Sequence, residues 1–201
     1  MKREEKKPSV DQLNQFIQIV FSLVWMSPLA MFWLSAFGPL KPFHYEQIDT
    51  APSLGWVLIL VLMSGMVYFL PRSYYTLRKY ERSGKRYEAL GMRYFKQYVS
   101  NGDLMNRWIR RNDPTYRLIK GPASLRSFID QTYTAEKIHL FFGVIGLITA
   151  GYAFQISWYG WFAYVFVANL LFNLYPILLQ RYLRARIGRL HPGLTGSRER
   201  H

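Results

Sequence analysis

Cysteine is absent from the 201 residues. That excludes disulfides, thiolate nucleophiles, iron–sulfur clusters and Cys-ligated zinc, and it leaves the redox compartment open. Acidic residues are scarce: 12 Asp and Glu stand against 26 Lys and Arg, a net charge of +14. Charge of either sign is missing altogether from three stretches, 16–38, 51–71 and 140–180, the composition that a hydrocarbon interior demands. Also absent are a Walker loop, GxGxxG, HExxH and GxSxG, so the nucleotide, zincin and serine-hydrolase signatures are all missing.

What is present fits one unit of ordinary size, half of it hydrophobic and 17% aromatic. The mean hydropathy of −0.05 is near neutral and hides the segregation of apolar and polar residues along the chain. The third charge-free stretch runs for about 41 residues, roughly twice one span, and Ser157, Trp158, Tyr159 and Gly160 divide it into a helical hairpin. The expected fold is therefore an all-α integral membrane protein with four transmembrane helices, at about 14–36, 53–71, 140–157 and 160–180. The first is too long for a signal-peptide core, and no small-residue cleavage site closes it.

The polar segments agree with that count. Residues 1–12, 71–138 and 181–201 carry +1, +9 and +5, whereas 37–54 carries −1. Because Lys and Arg gather on the cytoplasmic side of short loops, both termini and the insert 72–139 belong there, in a multi-pass protein of the cell (inner) membrane. In a soluble chain, +14 with many Tyr and Trp points to nucleic acid. Here topology and anionic lipid account for the charge, so membrane lipids are the expected partner and no nucleic acid is.

The insert is too long for a turn. Tyr87, Leu90, Tyr94 and Tyr98 recur at steps of three and four among Arg86, Arg93, Lys96 and Gln97, which predicts one amphipathic helix lying flat on the membrane. Asn101, Gly102 and Asp103 break it. Further turns are expected at Asn112–Asp113–Pro114 and at Gly121–Pro122, where Pro122 suits the first turn of a helix that starts near Ala123 and runs on into the third span.

On that helix Ile129, Tyr133, Glu136, His139, Gly143, Gly146 and Ala150 share one stripe, at steps of 4, 3, 3, 4, 3 and 4. Small residues at this spacing mark a face that approaches a neighbour, so Glu136 and His139 are expected to point into the bundle. Asn169, Asn173, Pro176 and Gln180 form a matching stripe on the fourth span. An antiparallel hairpin turning at 157–160 sets His139 level with residue 178, Glu136 with Arg181 and Gly143 with Leu174. The resulting constellation is Glu136, His139, Asn173, Gln180 and Arg181 at the cytoplasmic edge of the hydrocarbon, with Arg184 and Arg186 just beyond.

These residue types suit acyl transfer to a hydroxyl, which needs a base for the proton and a donor or cation for the oxyanion. His139 is the candidate base. Glu136 can fix its tautomer, Asn173 or Gln180 can supply an amide donor, and Arg181, Arg184 and Arg186 offer forks for phosphates. An alternative stays open: Glu136 as an ion-pair partner of Arg181, the amides as helix joiners, and the chain as a non-catalytic scaffold or lipid-binding subunit. His44, Glu46 and Asp49 fall across the membrane from His139, and His191 and His201 lie in the polar tail, so no metal site is expected.

Three blocks carry a family resemblance: 80–87 (YERSGKRY), 135–139 (AEKIH), and Asn173 followed by 180–186 (QRYLRAR). In order and separation they resemble the small membrane glycosyl-4,4'-diaponeurosporenoate acyltransferases of bacterial C30 carotenoid (staphyloxanthin-type) biosynthesis, over about residues 75–190. The resemblance implies transfer of a fatty acyl group to a sugar hydroxyl of a glycosylated carotenoid or similar glycolipid at the inner membrane face. It implies no cofactor: acyl-CoA or a similar thioester is the donor and a lipophilic glycosylated acceptor the co-substrate. The chain departs from the family in an additional apolar segment near its start and in the proline placement after Asn173.

Overall fold

The computed structural model describes residues 10–37, 53–99, 102–112, 114–117 and 119–192. His44, Glu46, Asp49, Asn101, Asp113 and His201 lie outside them. Among the described residues the structure is helical, without strands. The helices are α1 (Val10–Phe37), α2 (Leu54–Phe69), α3 (Arg72–Tyr75), α4 (Lys85–Ala89), α5 (Met92–Tyr98), α6 (Asp103–Asn112), α7 (Pro122–Gln155), α8 (Tyr159–Asn169) and α9 (Tyr175–Leu190). A π turn, Leu170–Leu174, joins α8 to α9 without a break.

Among the described residues two helices are long and apolar enough to cross a membrane: Pro122–Gln155 and the continuous Tyr159–Leu190. At 1.5 Å per residue their 34 and 32 residues reach about 51 and 48 Å. The first begins where the sequence places it. Pro122 occupies the first turn, and Ser124 Oγ accepts from the backbone N–H groups of Lys120 and Gly121 at 2.9 and 3.0 Å. It ends at a reversal in which Trp158 N–H reaches the Ala153 carbonyl at 2.9 Å and Ser157 N–H the Phe154 carbonyl at 3.1 Å. Ser157 takes the left-handed conformation there, φ 62°, that such a stop usually gives to glycine.

α7 is the hub, packed against α8, α9 and α2. At the reversal end, Phe32 meets Trp33, Tyr152, Trp158 and Trp161 edge to face, and Trp33 stacks on Tyr152 at 5.6 Å between ring centres. Two indole N–H groups here donate to side chains, Trp33 to Thr149 Oγ1 at 2.9 Å and Trp56 to Gln155 Oε1 at 2.6 Å. Midway along the hairpin Trp25, Leu29, Ala150, Val165 and Ala168 close the core.

The insert folds differently from the single flat helix that its aromatic spacing predicts. Gly91, at φ 78°, divides the segment into α4 and α5. Tyr87 and Met92 are thereby turned inward onto Leu179 and Tyr182 of α9, while Leu90, Tyr94 and Tyr98 stay exposed. Burying each inward residue is worth about 1.5–3 kcal/mol, so tertiary packing on α9 overrides the amphipathic period.

Candidate functional site

The polar residues of the α7/α9 seam form two clusters. In the outer one, Glu136 is fully buried. Arg181 Nε donates to its Oε1 at 2.7 Å, and Arg184 Nη2 donates to its Oε2. Arg181 also donates to Glu81 Oε1 at 3.0 Å and to the Tyr74 carbonyl at 2.8 Å. Arg184, itself buried, reaches Thr132 Oγ1 and the Tyr75 carbonyl at 3.3 Å each and lies 4.3 Å from the centre of the Tyr133 ring. Two carboxylates and two guanidiniums thus balance in charge, with fork geometry that ammonium groups lack.

Glu81 anchors the insert to this cluster. Its carboxylate accepts from the Tyr87 hydroxyl at 2.6 Å and from the Arg78 N–H at 2.7 Å. Burial opposes its ionisation, but the bonds from Tyr87, Arg78 and Arg181 outweigh that and hold it below the ordinary carboxyl range. Burial, aided by Glu81, pushes the Tyr87 phenol up.

The inner cluster is made of an imidazole and two amides, His139, Asn169 and Asn173. His139 adjoins the Asn173 side chain and the backbone of Phe172, the two polar groups that act on its ring. Asn173 Nδ2 donates to Asn169 Oδ1 at 2.7 Å, and Asn169 Nδ2 donates to the Gly143 carbonyl at 3.0 Å. Both Asn side chains are buried.

The structure therefore brings together Glu136 with Arg181 and Arg184, and His139 with Asn173. It does not join the two sets as the sequence does. Both Glu136 oxygens are held by guanidiniums, and Asn173, not Glu136, lies beside the imidazole. Arg181 and Arg184, expected to offer forks to phosphates, are engaged internally with Glu136 and Glu81. His139, level with Leu178 by residue count, meets residues 172 and 173 instead. Leu178 is apolar and packs with the cluster of Tyr87 and Tyr182. Gln180 is half-buried on α9, and Arg186 and His191 are exposed. Among the described residues no three His, Asp or Glu converge as metal ligands would.

The family model for glycosyl-4,4'-diaponeurosporenoate acyltransferases matches residues 71–191. The chain belongs to this family. No curated protein and no solved structure matches it. The stretch matched to the glycosyl-4,4'-diaponeurosporenoate acyltransferases runs from the residue before α3 to the residue after α9, so it includes both polar clusters and the insert that Glu81 ties to them.

Sequence reasoning left Glu81, Asn169 and the Phe172 carbonyl out of the site. Glu81 carried a signal, as a lone acid among Arg78, Lys79, Arg82, Lys85 and Arg86. Asn169 lay on the recognised stripe. The carbonyl carried one as well: Pro176 has no N–H to return to it four residues earlier in a helix.

Proposed function

We propose that the protein is a multi-pass membrane O-acyltransferase that moves a fatty acyl group from a thioester such as acyl-CoA to a sugar hydroxyl of a glycosylated carotenoid or similar glycolipid. His139 is the general base and Asn173 orients it. The base takes the hydroxyl proton as the oxygen attacks the thioester carbonyl. The tetrahedral intermediate then collapses, the carbon–sulfur bond breaks, and the departing thiolate takes the proton back from the imidazolium. The observation that carries this reading is an imidazole set beside a buried amide on the core seam of an acyltransferase-family chain, one turn from the charged end of its apolar helices.

Membrane placement, with all four spans and a cytoplasmic insert, rests on three supports. α1 and α2 expose Phe16, Leu23, Val61, Leu62, Met66 and Phe69, an apolar surface too large to leave in water. Along α7, the 19 steps from Glu136 to Gln155 amount to about 28 Å, close to the thickness of a hydrocarbon core. Trp33, Trp56, Trp158 and Trp161 gather at the end away from Glu136, as interfacial aromatics do. On this reading Arg186, exposed beyond the ionic cluster, is the guanidinium left to meet a phosphate of the donor.

Purified protein in lipid vesicles, given a fatty acyl-CoA and a glycosylated diaponeurosporenoate, is expected to yield the acyl ester by mass spectrometry. Binding of both substrates without ester would favour a lipid-binding subunit instead. Because the chain has no cysteine, single-cysteine variants report topology directly: Ser83→Cys should react with an impermeant maleimide only from the cytoplasmic side. Labelling from outside would invert the topology.

A further inference from the structure

The inner cluster has a direction, and the direction starts at a glycine. A Cβ on Gly146 would sit 2.7 Å from both Cγ and Oδ1 of Asn169, so glycine there is what admits the amide to the seam. Asn169 Nδ2 bonds the Gly143 carbonyl, and a carbonyl can only accept. That contact fixes the Asn169 amide, whose Oδ1 must then face Asn173. Asn173 answers with its Nδ2, which turns its own Oδ1 toward His139. The second contact of the ring, with Phe172, also meets an acceptor. Within a helix the Phe172 N–H is turned back along the chain, whereas its carbonyl has no N–H to receive from Pro176. The π turn that contains Phe172 and Asn173 presents both acceptors from consecutive residues, and π turns recur at functional sites.

A ring nitrogen that faces acceptors must carry hydrogen. We infer that Asn169 and Pro176 are positioning residues for acyl transfer: through Asn173 and the Phe172 carbonyl they fix the protonated nitrogen of His139 toward the π turn and leave the other nitrogen as the base. This rests on the assignment of His139 as base. The charged groups around it are engaged elsewhere, Glu136 with Arg181 and Arg184, Glu81 with Arg181, and Lys137 with the carbonyl of Tyr68 at 3.4 Å and its ring at 4.9 Å. A pH profile therefore reads the imidazole.

The test is the kcat–pH profile, per folded protein by size exclusion, of Asn169→Ala, Pro176→Ala and Gly146→Ala in vesicles, with His139→Gln as control. Pro176→Ala removes no hydrogen bond; it gives the Phe172 carbonyl a competing N–H. Each variant is expected to lose tenfold or more in kcat with KM within twofold. The acid limb should move to lower pH, since weaker acceptors favour the imidazolium less. Wild-type profiles in Asn169→Ala and Pro176→Ala, in an enzyme that His139→Gln inactivates, overturn the positioning role and leave the base in place. So does a loss of folded protein with an unmoved limb. Full turnover in His139→Gln instead removes the base itself.

Discussion

Two polar clusters lie one turn apart on α7, and they differ in what remains once internal bonds are satisfied. Around Glu136 both carboxylate oxygens are taken, and the guanidiniums of Arg181 and Arg184 are turned to Glu81, Thr132 and the carbonyls of Tyr74 and Tyr75. Around His139 the internal bonds run through two amides, Asn169 and Asn173, and the ring adjoins Asn173 and Phe172 of the π turn. A cluster whose charges are paired internally holds helices together; one that sets a titratable ring beside amides can do chemistry. Charge density, the loudest signal in the sequence, thus marks the structural cluster.

The sharpest way to break this comparison is to remove the buried acid. Glu136→Ala leaves two guanidiniums to share the one remaining carboxylate, Glu81, with the buried Arg184 stripped of its ion-pair partner, and is expected to cost about 3–5 kcal/mol, read as early loss of the monodisperse peak on heating in detergent. A variant that melts like wild type but cannot turn over would return Glu136 to the chemistry. A smaller effect belongs to Glu81. Its carboxyl is held low in the fold, so its contribution is complete above the ordinary carboxyl pKa of about 4.3 and is lost as pH falls through the lower folded value. Wild type should lose stability across that window, whereas Glu81→Gln, less stable at neutral pH, should lose correspondingly less. Equal slopes would disconnect Glu81 from the cluster. The smallest effect lies at the far end of the hairpin: Ser157→Gly relieves a left-handed serine and should add about 0.5–1 kcal/mol without touching turnover.

Much of the helical order was legible because charge-free stretches and turn residues punctuate the chain so plainly. Pro122 starts α7, residues 156–158 end it, and the 136/181 register follows from counting across one reversal. Family membership was legible in three short blocks. The insert was not, because a period of three and four cannot tell an aromatic face aimed at lipid from one folded onto α9 at Gly91. Nor were the partners within the site. Spacing put Glu136 and His139 on one stripe, but which neighbour each would bond depends on what the opposite helix offers at that depth. Opposite Glu136 it offers Arg181 and Arg184; opposite His139 it offers an amide and a carbonyl.

The most direct test of the account is turnover by His139→Gln, a substitution that keeps a polar side chain on the seam, measured beside wild type in vesicles with fatty acyl-CoA and glycosylated carotenoid. The account predicts a fall of about 10²–10⁴-fold in kcat with a melting temperature close to that of wild type. Ester formation at the wild-type rate would contradict it.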